Sequence, residues 1–160
     1  MSDEFLGIWD SALALENPLL QDFLSFWREK AGPDGLPARS DFDPLEMKRF
    51  LGSIFLAVPE PGADDFRYTL IGTMITEQVG VDNTGRTVGE VFGTPGLDLY
   101  RKVRDERAPI RVHGTVEWRR KEFLPYEALL LPLAEKVENV DHFVGMMVFG
   151  RQAEGPGVCS

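Results

Sequence analysis

Apolar residues recur at helical spacing early in the chain and at strand spacing later, and this change of period organises it. Leu19, Leu20, Phe23, Leu24 and Trp27 repeat every three or four positions, the mark of a helix with one buried face. Asn17-Pro18 supplies its start, because the Asn side chain accepts from free first-turn amides and Pro fits where no N–H is needed. Gly32-Pro33 supplies its stop. A shorter apolar group, Phe5, Leu6, Ile8, Trp9 and Leu13, precedes it in a first third read as helical. After a linker over 31–42, Asp43 with Glu46 three residues on predicts a second capped helix start. Met47, Phe50 and Leu51 would form its apolar face and Gly52 its end.

From Ile54 the period shortens. Two β-branched and aromatic runs, separated by a Pro/Gly/Asp turn, predict a hairpin that leads into a short helical piece and the cluster GVDNTGR (80–86). Thr94-Pro95 opens a helix to about Arg107, with Leu97, Tyr100 and Val103 on one face and Ala108-Pro109 ending it. Asp98 with Lys102 and Lys102 with Glu106 are spaced for solvent-side ion pairs. Strands follow over about 110–119, 122–133 and 140–150. The first alternates, with Ile110, Val112, Val116 and Trp118 opposite Arg111, His113, Thr115 and Glu117. The second and third, FLPYEALLLPLA and HFVGMMVF, are apolar on both faces and so must be covered twice. The crossover helices can cover one face and the N-terminal helix the other. The expected division is a helical cap and linker over 1–42, a sheet domain over 43–150 and a disordered tail over 151–160.

Composition narrows the possibilities. With 26 acidic against 17 basic residues, a formal charge of −9, the chain has no cationic field with which to displace counterions from nucleic acid. Arg119-Arg120-Lys121 reads as a solvated hairpin turn. No apolar run reaches membrane-span length and the start lacks a basic leader, so a cytoplasmic, membrane-free protein is expected. The single cysteine, Cys159, leaves no internal disulfide. His113 and His142 lie on different strands with no Cys or carboxylate at metal-ligand spacing. No serine has a nucleophile-elbow context, and 80–86 has neither the spacing nor the lysine of a phosphate loop. No enzyme is expected, and no metal.

Four strings together resemble a single-domain bacterial PAS family. They are Pro37, Arg39, Asp41, Asp43 and Pro44 in a P-x-R-x-D-x-D-P pattern; DFRYTLIGT over 65–73; GVDNTGR over 80–86; and YEALLLPL over 126–133. Arg39 and Asp41 also read simply as loop fasteners, Asp41 through backbone amides. The resemblance spans about Leu19–Gly150. It implies an α+β fold, with a five-stranded antiparallel sheet, crossover helices on one face and an N-terminal helical cap. It implies a stand-alone sensor or adaptor of bacterial signal transduction. With no output module in the remaining residues, it would act through contact with a regulatory partner such as a sensor kinase. Flavin-type relatives carry a reactive cysteine in an N-C-R-F-L context within the crossover, and haem-type relatives a histidine on the long crossover helix. Neither residue is present there, so flavin and haem are disfavoured and an unknown small organic ligand stays open.

A ligand would sit between sheet and crossover helices. Tyr68, Tyr100, Trp118 and Tyr126 combine apolar bulk with a polar tip, and Met74, Met146 and Met147 are adaptable lining; taken singly, each reads first as plain core packing. The surplus apolar residues Phe5, Leu6, Ile8 and Trp9, with Leu20, Phe23, Leu24 and Trp27, predict a homodimer built around the N-terminal helices. The alternatives are a ligand carrier, an enzyme on a similar curved sheet using an inward His113 with Glu117, or a structural dimerisation module.

Overall fold

The computed structural model describes residues 7–31, 35–117, 123–135 and 139–150. Its elements are β1 (Ile8–Asp10), α1 (Pro18–Ala31), β2 (Ile54–Pro59), β3 (Phe66–Ile71), α2 (Thr73–Val79), α3 (Val88–Glu106), β4 (Ile110–Glu117), β5 (Phe123–Leu133) and β6 (His142–Phe149). The sheet has six strands in the order β1-β4-β5-β6-β2-β3, every neighbouring pair antiparallel. One strand more is present than expected. Ile8 and Trp9, read as part of a helical first third, instead pair as strand β1 with His113 and Val112 of β4.

α1 forms as its sequence predicts. Asn17 Oδ1 accepts from the amides of Leu19 at 2.8 Å and Leu20 at 3.3 Å, and the buried face is Leu20, Phe23, Leu24 and Trp27. A helix of 14 residues is marginal alone, so its docked face holds it. That face meets Leu129, Leu131, Leu133, Val144 and Met146 of the sheet, and Met47, Phe50, Ile54 and Leu56 join the same core. Residues either side of position 42 therefore share one core. The Trp27 indole donates to the Pro132 carbonyl at 3.1 Å, which gives its buried N–H a partner.

The helix expected from Asp43 does not form. Residues 44–50 are successive turns and Leu51–Ser53 is a 3-10 turn. Phe50 and Ser53 donate to carbonyls three residues back, at 2.8 and 2.9 Å. Glu46 does not return to cap the start; its carboxylate takes Lys30 at 2.9 Å instead. The long crossover helix begins earlier than expected. Thr87 and Glu90 form a reciprocal capping box, and the segment bends at Gly93, whose φ of 69° and ψ of −158° belong to a region open essentially to glycine. Of the expected ion pairs, Lys102–Glu106 is present at 2.7 Å, whereas Asp98 pairs with Arg101.

Strand alternation gives the sheet two cores. Ala57, Tyr68, Val112, Tyr126, Leu130, Phe143 and Met147 face α2 and α3. Ile54, Leu56, Leu129, Leu131, Leu133, Val144 and Met146 face α1.

Candidate functional site

On the α2–α3 side the sheet and helices enclose a cavity of about 90 Å³. β2 contributes Phe55, β3 Tyr68, β4 Val112, β5 Tyr126 and Ala128, and β6 Met147, with Val91, Phe92, Leu99 and Tyr100 from α3 above them. Phe55 can lie there because its cross-strand neighbour is Gly145. A Cβ at 145 would come within 2.0 Å of the Phe55 ring.

Tyr68 and Tyr100 meet at the wall. The Tyr100 hydroxyl lies 3.2 Å from that of Tyr68. Tyr100 also stacks on Phe66 and meets Phe143 edge-on. Burial pushes both phenols well above their ordinary value, and Tyr126 likewise, because a phenolate there would lose its hydration. The described lining contains no acid, base or cysteine; Asn83 is its one amide. His113 stands on the opposite strand face from Val112, in register with Glu127 and Ile8.

The candidate ligand residues divide. Tyr68, Tyr100 and Tyr126 line the cavity, with Met147. Met146 does not: it is fully buried in the α1 core on the other face, one position out of phase with Met147. Met74 does not either. It is 57% exposed and rests against Gly52. Trp118 lies outside the described residues, as do Phe5 and Leu6. Leu20, Phe23, Leu24 and Trp27, read as dimer contacts, are buried within the chain against the sheet, so that apolar face is already covered. Phe55, Phe92 and Asn83 were not anticipated.

The motif residues build the scaffold. Asp65 Oδ1 accepts from the Gly89 amide at 3.0 Å and anchors the start of α3. Arg67 pairs with Glu60 and donates to the Gly85 carbonyl. Tyr68 N–H donates to Arg86 O at 3.0 Å and Gly85 N–H to Tyr68 O at 2.8 Å, so GVDNTGR closes the free edge of β3. Asp41 accepts from the Ala38 amide at 2.8 Å, the loop fastening expected of it. Arg39 borders a shallow groove with Phe42, Pro44 and Leu51.

A polar cluster on the α1 side had not been anticipated. Arg111, expected on a solvent-facing strand surface, is buried with Glu127. Glu127 takes Arg111 Nε at 2.6 Å and the backbone amides of Glu16 and Asn17, each at 2.9 Å. Arg111 also reaches Asp10 at 3.2 Å, and Asp10 accepts from the Ala12 and Ala14 amides. The Arg111 end of the polar side of β4 is thus roofed by the segment joining β1 to α1. Among the described residues no group of three or more His, Cys, Asp or Glu side chains is placed to hold a metal ion. No described helix is long and apolar enough to cross a membrane.

An antiparallel sheet carries a helical crossover over an apolar cavity. The sequence profile of the PAS domain matches residues 15–148, and the chain belongs to that family. No curated protein matches it. Among solved structures, the LOV domain of the blue-light photoreceptor Aureochrome1 in its light state aligns with a TM-score of 0.51 at 10% identity, covering 71% of this chain and 93% of that one. The PAS domain of BvgS from Bordetella pertussis aligns at 0.48 and 19% identity, covering 71% and 91%. A Rhodobacter sphaeroides LOV protein aligns at 0.48 and 12%, covering 71% and 72%. At such identities the likeness concerns the fold.

Proposed function

We propose that this protein is a non-catalytic sensor or adaptor of bacterial signal transduction, located in the cytoplasm. It binds a small organic molecule between sheet and crossover helices and acts through protein contacts. The observation that carries this reading is the cavity itself. A wholly structural core would close-pack, whereas this one keeps about 90 Å³ open beside buried tyrosine hydroxyls. Flavin and haem fit poorly: an engineered cavity of roughly 150 Å³ holds a molecule only as large as benzene, far smaller than either group, and neither the crossover nor the described cavity wall offers a cysteine or histidine. Homodimerisation accords with Ile8, 62% exposed on edge strand β1. A partner such as a sensor kinase is the natural recipient of the output.

Native mass spectrometry of freshly purified protein, with thermal melts against a metabolite panel, tests the reading. The expected result is a bound or stabilising organic compound and no visible absorption. A flavin or Soret spectrum, or no melting shift with any compound, would leave respectively a chromophore sensor or a purely structural module.

A further inference from the structure

The Tyr68–Tyr100 pair identifies the kind of molecule the cavity takes, an inference that rests on reading the cavity as a ligand site. Each phenol carries one proton and can also accept one. Two hydroxyls have two protons to place, and the single bond between them, at 3.2 Å, places one. Among the described residues neither hydroxyl has any other partner, and both side chains are at least nine-tenths buried. Whichever hydroxyl donates, one proton is left without an acceptor in an apolar chamber. Orphaned buried donors are the rarer and costlier condition. Burial keeps both phenols neutral at physiological pH, so the pair remains a donor.

The rest of the wall points the same way. Asn83 is 8% exposed, and its Oδ1 accepts from Arg86 at 3.0 Å. That contact ties the amide oxygen to Arg86, so the carbonyl of Asn83 is already engaged. No Lys, Arg or His belongs to the described lining, so a carboxylate or phosphate would be buried unpaired, and an amine would find no counter-charge. The volume, about 90 Å³, is below the ~150 Å³ of an engineered cavity that holds benzene.

We propose that the cavity binds a small, uncharged, mainly apolar carbonyl compound, a ketone, aldehyde or ester no larger than a five-membered ring, with its oxygen on the proton that the Tyr68–Tyr100 pair leaves unshared.

The test compares cyclopentanone with cyclopentane, near-equal in shape and different in the acceptor, by ligand-observed NMR titration. Without a donor, desolvation of the carbonyl would make the hydrocarbon the tighter ligand by about tenfold or more. Wild-type protein should bind the ketone at least as tightly as the hydrocarbon. Tyr68→Phe/Tyr100→Phe should still bind cyclopentane, with the ratio moved about tenfold or more against the ketone. An unchanged ratio in the double variant overturns the assignment while leaving the cavity a ligand site. Failure of both probes to bind wild type overturns that reading too. Should the double variant not fold, the wild-type ratio decides alone: cyclopentane favoured about tenfold or more sinks the proposal.

Discussion

Removing the carboxylate of Glu127 should loosen the N-terminal segment more than any exposed ion pair could. Glu127 is 8% exposed and Arg111 7%, and the carboxylate accepts from Arg111 Nε and from the amides of Glu16 and Asn17. Breaking a buried pair by deleting one member costs about 3–5 kcal/mol, because the remaining charge stays desolvated. Here Arg111 keeps Asp10 at 3.2 Å, which sets the expectation for Glu127→Ala at the low end, about 3 kcal/mol. The two orphaned amides add little, since the start of α1 can lift far enough to hydrate them. For a domain of this size, 1 kcal/mol moves the melting temperature by roughly 2–4 °C, so the loss is about 6–12 °C. Glu127→Gln, which keeps the volume and one acceptor, should lose about half as much. Thermal and urea melts measure both, and hydrogen exchange should show faster amides over Leu19–Phe23 in the Ala variant. A fall below about 2 °C with an unchanged urea slope would refute the claim that this carboxylate fastens the segment.

The chain has three tyrosines, and burial raises the phenol pKa of all three above the ordinary value of 10.0. Their contribution is therefore complete below about pH 10 and lost as pH rises toward the folded values. Tyrosinate absorbance should appear only in step with unfolding; a tyrosine that ionises in the folded protein would contradict the burial. On assembly, the full chain should run as a dimer at high micromolar concentration and Ile8→Glu as a monomer, checked by sedimentation. A monomeric wild type removes the dimer.

Where a pattern depends on the chain alone, it was readable. Leu20, Phe23, Leu24 and Trp27 declare one helix face because they recur at its period, and Asn17 caps it as its type suggests. What was lost depends on neighbours. β1 is three residues long, too short to show alternation, and exists because β4 offers an edge. Arg111 sits on an alternating strand, so its polar side reads as solvated. Only the tertiary roof from β1 to α1 buries Arg111 itself, while Thr115 on the same side stays exposed. β6 is apolar on both faces, so its phase cannot be read from hydrophobicity, and Met146 and Met147 were not separable. Gly145 was the available clue, since a glycine opposite Phe55 marks the face where a ring must fit. The early start of α3 was also legible in principle: Thr87 and Glu90 have capping-box spacing, but Thr94-Pro95 offers a second, later helix start.

The sheet that separates the two cores is one peptide thick, and β5 couples its two sides. Tyr126 and Ala128 border the chamber, while Glu127 between them grips the start of α1. These three residues share two peptide planes. A tilt of that ribbon that reshapes the chamber must also re-aim the carboxylate on its reverse. Chamber and N-terminal segment thus behave mechanically as the two sides of a single drumskin, with no relay of intermediate side chains needed between them.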